Sequence, residues 1–140
     1  MYDRYNRKIN YLRVSVTDKC NLRCYYCMPA EGVPMLQHQD ILSYEEITEV
    51  VRYGVGKGID KVRITGGEPL VRRDITRLVE MLSQIQGIRD LSITTNGLLL
   101  DRYAESLIDA GLQRVNVSLD TLDTEKYRKI TRGGSLEKVL

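Results

Sequence analysis

The sequence predicts an α/β fold, a partial (β/α) barrel with about four parallel βα units and an open, polar-lined lumen. Strand-like and helix-like segments alternate along the chain, which calls for crossovers between parallel strands. The 140 residues are too few for a closed eight-stranded barrel, which needs about 250. Each strand alternates polar and apolar residues, whereas strands buried on both faces are usually apolar throughout. A doubly wound open sheet and a half-solvated antiparallel sheet remain as alternatives.

Four short, β-branched segments are the predicted strands, at residues 11–16, 61–65, 90–95 and 114–119. We expect their apolar side chains to pack under the helices: Leu12, Val14, Val16, Val62, Ile64, Leu91, Ile93, Val115, Val117 and Leu119. The opposite face is polar and should line the lumen, with Arg13, Lys61, Arg63, Ser92, Thr94, Asn116 and Ser118 among its members. Because guanidinium groups bind phosphate and carboxylate in a fork, these cations favour an anionic ligand.

Helices are predicted between the strands from capping signals and apolar spacing. Ser43 and Glu46 form a capping box that opens the first helix, and Gly56 and Gly58 close it. A second helix ends near Gly87, a third ends at Gly111, and a fourth begins after Leu122. The apolar stripes of the first three are Ile47, Val50, Val51 and Val55; Ile75, Leu78, Val79, Leu82 and Ile85; and Ala104, Leu107 and Ile108.

Composition excludes several classes of protein. The formal charge is only +2, so a protein that coats nucleic acid is not expected. No apolar run approaches the roughly 18 residues of a membrane span, and the charged start is unlike a secretory signal. We therefore expect a cytoplasmic protein without a membrane or nucleic-acid partner. All three cysteines lie between positions 20 and 27, and an odd cluster of thiols in a reducing compartment favours metal binding over disulfides.

The segment Cys20-Asn-Leu-Arg-Cys24-Tyr-Tyr-Cys27 follows the first strand and carries the chemistry. Three thiolates can hold a cubane [4Fe–4S] cluster and leave one iron open to a substrate, as an open zinc site does. One alternative is a structural zinc that recruits His38 as fourth ligand. Another is that the spacing places three ordinary core cysteines on one helical face.

Five segments of sequence, together with the cysteine motif, make the resemblance to a known family specific. The cysteine spacing, an aromatic residue before the last cysteine and Gly66-Gly67-Glu68-Pro69 resemble the radical S-adenosylmethionine (SAM) superfamily. Within it, the chain from about position 7 to 140 resembles the GTP 3',8-cyclase family of molybdenum cofactor biosynthesis. The blocks that carry this are residues 11–20, 27–32, 62–72, 94–97 and 114–120.

The resemblance implies a lyase reaction. SAM would chelate the open iron, one electron from an external donor would cleave it, and the 5'-deoxyadenosyl radical would abstract hydrogen from the ribose of GTP. The ribose carbon would then attack C8 of the purine. It also implies roles for nine positions: Cys20, Cys24 and Cys27 as cluster ligands, Tyr26, Gly67 and Ser118 at SAM, and Arg13, Arg63 and Thr94 at GTP. No general acid or base is called for, and Glu68 and Asp120 are read as local hydrogen-bond acceptors.

Two departures from that family shape the expectation for domain organisation. The family carries a second cluster, held by three more cysteines in its C-terminal part, and this chain has no further cysteine. It also lacks the last strands of the family's barrel. We therefore expect residues 1–140 to be the N-terminal portion of one radical SAM core domain, incomplete for turnover, with a homodimer compatible with the resemblance. The other readings are a radical SAM enzyme acting on a peptide or tetrapyrrole, and a non-catalytic zinc-stabilised module.

Overall fold

A single parallel sheet organises the molecule. The computed structural model describes residues 2–140, except for the side chain of His38. Four strands lie in the order β1 (Tyr11–Ser15), β2 (Lys61–Thr65), β3 (Asp90–Thr95) and β4 (Arg114–Val117), and all three pairings are parallel. The antiparallel alternative is therefore wrong. The strand order follows the chain without the reversal that a doubly wound sheet requires, so the partial barrel is confirmed.

Four helices alternate with the strands, and their ends lie close to the predicted signals except that the second helix ends at Ser83, before the predicted end near Gly87. They are α1 (Tyr44–Gly56), α2 (Ile75–Ser83), α3 (Leu100–Asp109) and α4 (Thr124–Thr131). The capping box is present, because Ser43 Oγ accepts from the Glu46 amide at 3.1 Å and Glu46 Oε2 accepts from the Ser43 amide at 2.7 Å. Asp123 caps α4 by accepting from the Lys126 amide. Short 3-10 turns cover Pro69–Val71 and Leu136–Lys138.

The core lies between the apolar face of the sheet and the helices. Val62, Ile64, Leu91 and Ile93 of the central strands are almost completely buried, against the stripes of α1 and α2 and against Leu107 of α3. This confirms the predicted division of the two central strands into faces. The two central strands are therefore buried more completely than the edge strands β1 and β4.

Four predicted core positions are exposed instead. Val115 and Val117 of β4 are 36% and 42% exposed because β4 is the edge strand and α3 covers only part of its apolar face. Val50 of α1 and Ile108 of α3 are 54% and 69% exposed. Both stand at the margin of a stripe whose centre, at Val51 and Leu107, is buried. On both helices the buried apolar stripe is therefore one residue narrower than the sequence predicts.

The polar face of the sheet aligns its cations in one row. Arg13 of β1 lies in register with Arg63 of β2, Arg63 with Ser92 of β3, and Ser92 with Arg114 of β4. The strands end slightly earlier than predicted, at Ser15 and Val117 rather than at 16 and 119. No helix in the described part of the chain is long and apolar enough to cross a membrane.

Candidate active site at the carboxyl edge of the sheet

The three cysteines lie in a loop that follows β1. The backbone between Cys20 and Cys27 is irregular and ends in a turn, so the prediction of core cysteines on one helical face is wrong. Cys20 and Cys24 are half-buried, Cys27 is exposed, and all three are free thiols. The amides of Cys27 and Met28 donate to the Cys24 carbonyl at 2.9 and 3.1 Å, which closes the turn between the last two cysteines.

The end of α4 holds this loop in place. The amides of Arg23 and Tyr25 donate to the carbonyls of Thr131 and Ile130 at 3.2 and 3.0 Å. Arg132 Nη1 donates to the Met28 carbonyl at 2.8 Å. The last carbonyls of a helix have no partner inside the helix, so the loop satisfies them. No pattern in the sequence indicates this contact, because it joins positions more than 100 residues apart.

The Gly-Gly-Glu-Pro segment holds the same loop from the other side. The Gly67 amide donates to the Thr17 carbonyl at 2.7 Å, and the Glu68 amide donates to the Lys19 carbonyl at 2.8 Å. A Cβ on Gly67 would lie 2.4 Å from the Lys19 oxygen. For Gly67, the expected contact with SAM stays a prediction, but the structure shows another reason for a glycine at this position. Its missing side chain is required by the loop that leads into Cys20.

Glu68 is a buried bridge between two strand ends. Its carboxylate is 1% exposed and accepts from the Leu70 amide, from the Thr95 hydroxyl at 2.7 Å and from the Asn96 amide at 2.6 Å. Two of these donors lie 27 and 28 residues away, so the expectation of a merely local acceptor is wrong. Charge-assisted bonds of this kind fix the ends of β2 and β3 relative to each other.

Asn96 connects that bridge to the cysteine loop. Its Nδ2 lies 2.7 Å from Asn21 Oδ1 and 3.9 Å from Cys20 Sγ. The Leu22 amide also donates to Cys20 Sγ, at 3.4 Å. Residues from the ends of β1, β2 and β3 therefore meet around the first cysteine. Alternation along the third predicted strand puts Asn96 on the polar face, but no pattern in the sequence indicates its contact with Cys20.

Tyr26 and Asp120 form a contact across the site. The Tyr26 hydroxyl donates to Asp120 Oδ2 at 2.8 Å, which joins positions 94 residues apart and shows that Asp120 is not a local acceptor either. This hydrogen bond to the carboxylate raises the pKa of the Tyr26 phenol well above its usual value. Tyr127 is 1% exposed, and its hydroxyl has no hydrogen-bond partner among the described residues. Burial raises its pKa, with smaller contributions from Cys24 and Asp120, which also places its phenol beside the site.

The remaining predicted residues occupy the polar face and its carboxyl edge. Arg13 is exposed, while Arg63 is half-buried with its guanidinium over the Tyr11 ring and its Nε 3.4 Å from Ser92 Oγ. Thr94 is half-buried and pairs in register with Asn116. Ser118 is exposed just beyond β4, where its amide donates to the Thr95 carbonyl. All four lie on the face where alternation placed them.

The donor set fits an iron–sulfur cluster better than free thiols. Burial raises the pKa of Cys20 and Cys24, and the negative charge of Cys27 makes a smaller contribution in the same direction to both. Ligation requires thiolates, so a bound cation is what makes three neighbouring thiolates tolerable here. Among the described side chains, no three Cys, His, Asp or Glu are grouped to hold a single metal ion. The zinc alternative depends on His38, whose side chain lies outside the described residues.

Comparison with known proteins identifies the family. The model of the radical SAM superfamily matches residues 14–140. The chain belongs to this superfamily. Among curated relatives of this radical SAM chain, the GTP 3',8-cyclase of Alkaliphilus oremlandii is 63% identical over all 140 residues, which cover 44% of that protein. The GTP 3',8-cyclase of Peptoclostridium acidaminophilum is 61% identical over the same span, 43% of its length. The chain thus spans less than half the length of these relatives.

Solved radical SAM structures share the fold. Streptococcus suis SuiB bound to S-adenosylmethionine superposes with a TM-score of 0.72 at 22% identity, over 92% of this chain and 29% of that one. BtrN in complex with AdoMet and 2-DOIA superposes with a TM-score of 0.62 at 21% identity, over 96% of this chain and 56% of that one. The family model and the curated relatives confirm the predicted superfamily, whose cofactors are SAM and a [4Fe–4S] cluster. The roles of individual residues and the extent of the domain stay predictions.

Proposed function

We propose that the chain is the N-terminal part of a radical SAM GTP 3',8-cyclase, a lyase that converts GTP to (8S)-3',8-cyclo-7,8-dihydroguanosine 5'-triphosphate in molybdopterin biosynthesis. The observation that carries this is the placement of the three-cysteine loop at the carboxyl end of strands whose polar face carries Arg13 and Arg63 in register. The two cyclases that are 63% and 61% identical across the whole chain support the substrate.

Cys20, Cys24 and Cys27 would hold the cluster by three irons. The chemistry that a bound cluster and SAM supply is one-electron cleavage of the sulfonium to a carbon radical. The protein's part is to fix the thiols, and the structure does so from two sides. The end of α4 binds the loop at Arg23 and Tyr25, and the Gly-Gly-Glu-Pro segment binds it at Thr17 and Lys19.

Tyr26, Gly67 and Ser118 would contact SAM. All three are exposed, and they lie after β1, β2 and β4, on the side of the sheet where sites of (β/α) barrels are built. The hydrogen bond to Asp120 holds the Tyr26 ring in one orientation beside the cysteines. Gly67 offers its backbone to a ligand only on the side that the Lys19 carbonyl leaves free.

Arg13, Arg63 and Thr94 would bind GTP. Neither arginine forms a salt bridge within residues 2–140, so both cations are available to an anion. Register pairing keeps the two backbones adjacent, and two guanidinium groups on one face suit a triphosphate. We expect the reaction in the cytoplasm, with an external one-electron donor. A homodimer is compatible with this proposal.

Product analysis tests the proposal. The protein at its complete natural length is reconstituted without oxygen with iron and sulfide, then reduced in the presence of SAM. We expect 5'-deoxyadenosine to form with GTP and to fall to background when GTP is replaced by a peptide or a tetrapyrrole. Formation that is independent of GTP would contradict the cyclase proposal while leaving the radical SAM family untouched.

The phosphate site has its own test. Arg63→Ala should weaken GTP binding by about 10- to 100-fold, because a charge-assisted contact is worth about 1.5–3 kcal/mol. Arg77→Ala is the matched control, since Arg77 is an exposed α2 cation paired with Glu45 on the other side of the sheet. Calorimetric titration of GTP into both variants measures the effect. Equal affinity of Arg63→Ala and wild type would refute the placement of the triphosphate.

A further inference from the structure

We propose that Asn96 is a positioning residue for the cluster: its side-chain amide donates a hydrogen bond to Cys20 Sγ and raises the reduction potential of the bound cluster. The inference rests on the proposed cluster ligation by Cys20, and it adds a residue from the end of β3 to which the resemblance assigned no role.

The orientation of the Asn96 amide is determined by its other contacts. Oδ1 accepts from the Leu98 amide at 3.0 Å, and that donor requires an oxygen. The nitrogen must therefore be the atom that faces the cysteine loop. Its two hydrogens have two acceptors, Asn21 Oδ1 at 2.7 Å and Cys20 Sγ at 3.9 Å. The contact with sulfur is the longer of the two and lies at the long end of the range for an N–H···S hydrogen bond.

The backbone of Asn96 is held as firmly as its side chain. The Asn96 amide donates to Glu68 Oε2 at 2.6 Å, and the neighbouring Thr95 hydroxyl donates to Glu68 Oε1 at 2.7 Å. Glu68 is itself 1% exposed, so this bridge is shielded from water. A continuous path of hydrogen bonds thus runs from the end of β2 through Asn96 to Cys20. The Nδ2 donor of Asn96 is therefore held in position by hydrogen bonds within the protein itself.

Cys20 receives a second N–H donor from its own loop. The Leu22 amide lies 3.4 Å from Cys20 Sγ, so the sulfur has one main-chain and one side-chain donor. Reduction adds one negative charge to a cluster and its thiolates. N–H donors to the sulfurs stabilise the more negative state, and hydrogen bonds of this type are among the factors that set cluster potentials. Removing the Asn96 donor should make reduction harder.

The test compares Asn96→Asp with the wild-type protein at its complete length, both reconstituted without oxygen. Aspartate keeps the Oδ1 acceptor for the Leu98 amide but offers no donor to sulfur and adds a negative charge. Midpoint potentials come from redox titrations followed by electron paramagnetic resonance, and iron and sulfide content is measured alongside. The matched control is Asn10→Ala, because Asn10 Nδ2 donates to Asp60 Oδ1 at the opposite end of the sheet.

We expect a more negative midpoint potential in Asn96→Asp and a wild-type value in Asn10→Ala. The midpoint potential of Asn96→Ala, which adds no charge, should shift in the same direction by a smaller amount. This variant replaces Asn96→Asp in the comparison if Asn96→Asp does not retain iron. A wild-type potential in a cluster-loaded Asn96 variant overturns the inference and leaves the cluster proposal standing. Loss of iron from both Asn96 variants also overturns it, since Asn96 would then act in retention rather than in tuning. A wild-type protein that takes up no iron and sulfide refutes the cluster proposal itself.

Discussion

At the scale of single residues, Gly67 shows why the loop before the cysteines can lie so close to the sheet. A methyl group there would overlap the carbonyl oxygens of Lys19 and Asp18, which lie 2.4 and 2.7 Å from the Cβ position. Both atoms are backbone, so no flexible side chain can move aside. Residue 20 follows directly, so displacement of this segment also displaces Cys20, which we propose as a cluster ligand.

Gly67→Ala should therefore lower the iron and sulfide bound per chain and destabilise the protein by about 1–3 kcal/mol, the usual cost of overpacking. Gly56→Ala is the matched control, because nothing lies within 4 Å of its Cβ position at the end of α1. Iron analysis and urea unfolding of both variants measure the difference. Full cluster content in Gly67→Ala would show that the loop before Cys20 tolerates a methyl group at position 67.

The sequence predicted the residue types of the site well but not their contacts. Alternation along the strands was enough to place Arg13, Arg63, Thr94 and Ser118 on one face. The bridging role of Glu68 could not be predicted, since its partners on β3 are known only once β2 and β3 pair. The same applies to Asn96, whose sulfur contact depends on where the loop after β1 returns.

At the scale of elements, α1 carries a pH-dependent cap. The hydrogen bond from the Ser43 amide lowers the pKa of the Glu46 carboxyl below its usual 4.5. A lowered folded-state pKa means that the carboxylate stabilises the fold above pH 4.5 and that this contribution disappears as the pH falls toward the folded-state value. The capping box was predicted from sequence because all its partners lie within three residues.

Glu46→Gln should accordingly reduce the loss of stability between about pH 5 and pH 3, since glutamine does not titrate. Urea unfolding at several pH values in this window measures the effect. A wild-type slope in Glu46→Gln would contradict the assignment.

At the scale of the whole molecule, β4 leaves one edge of the sheet without a neighbour. Val115 and Val117 are exposed there, and the curated cyclases are more than twice as long as this chain. Exposed strand edges invite further pairing. We therefore expect a fifth parallel strand to pair with β4 in the complete protein, as continuation of the barrel requires.

Hydrogen exchange followed by mass spectrometry tests this expectation. Peptides covering 114–117 should exchange more slowly in the complete protein than in residues 1–140 alone, while peptides from the central strand β2 should be protected in both. Equal protection of β4 in the two proteins would argue that the edge stays open.

The hydrogen bonds between the end of α4 and the cysteine loop have a consequence for biosynthesis. Carbonyls of Ile130 and Thr131 and the side chain of Arg132 reach back to residues 23–28. A nascent chain emerges from its N-terminus, so the thiols leave the ribosome long before the helix that anchors them. Insertion of the proposed cluster into an ordered loop must then wait until more than 100 further residues have been translated.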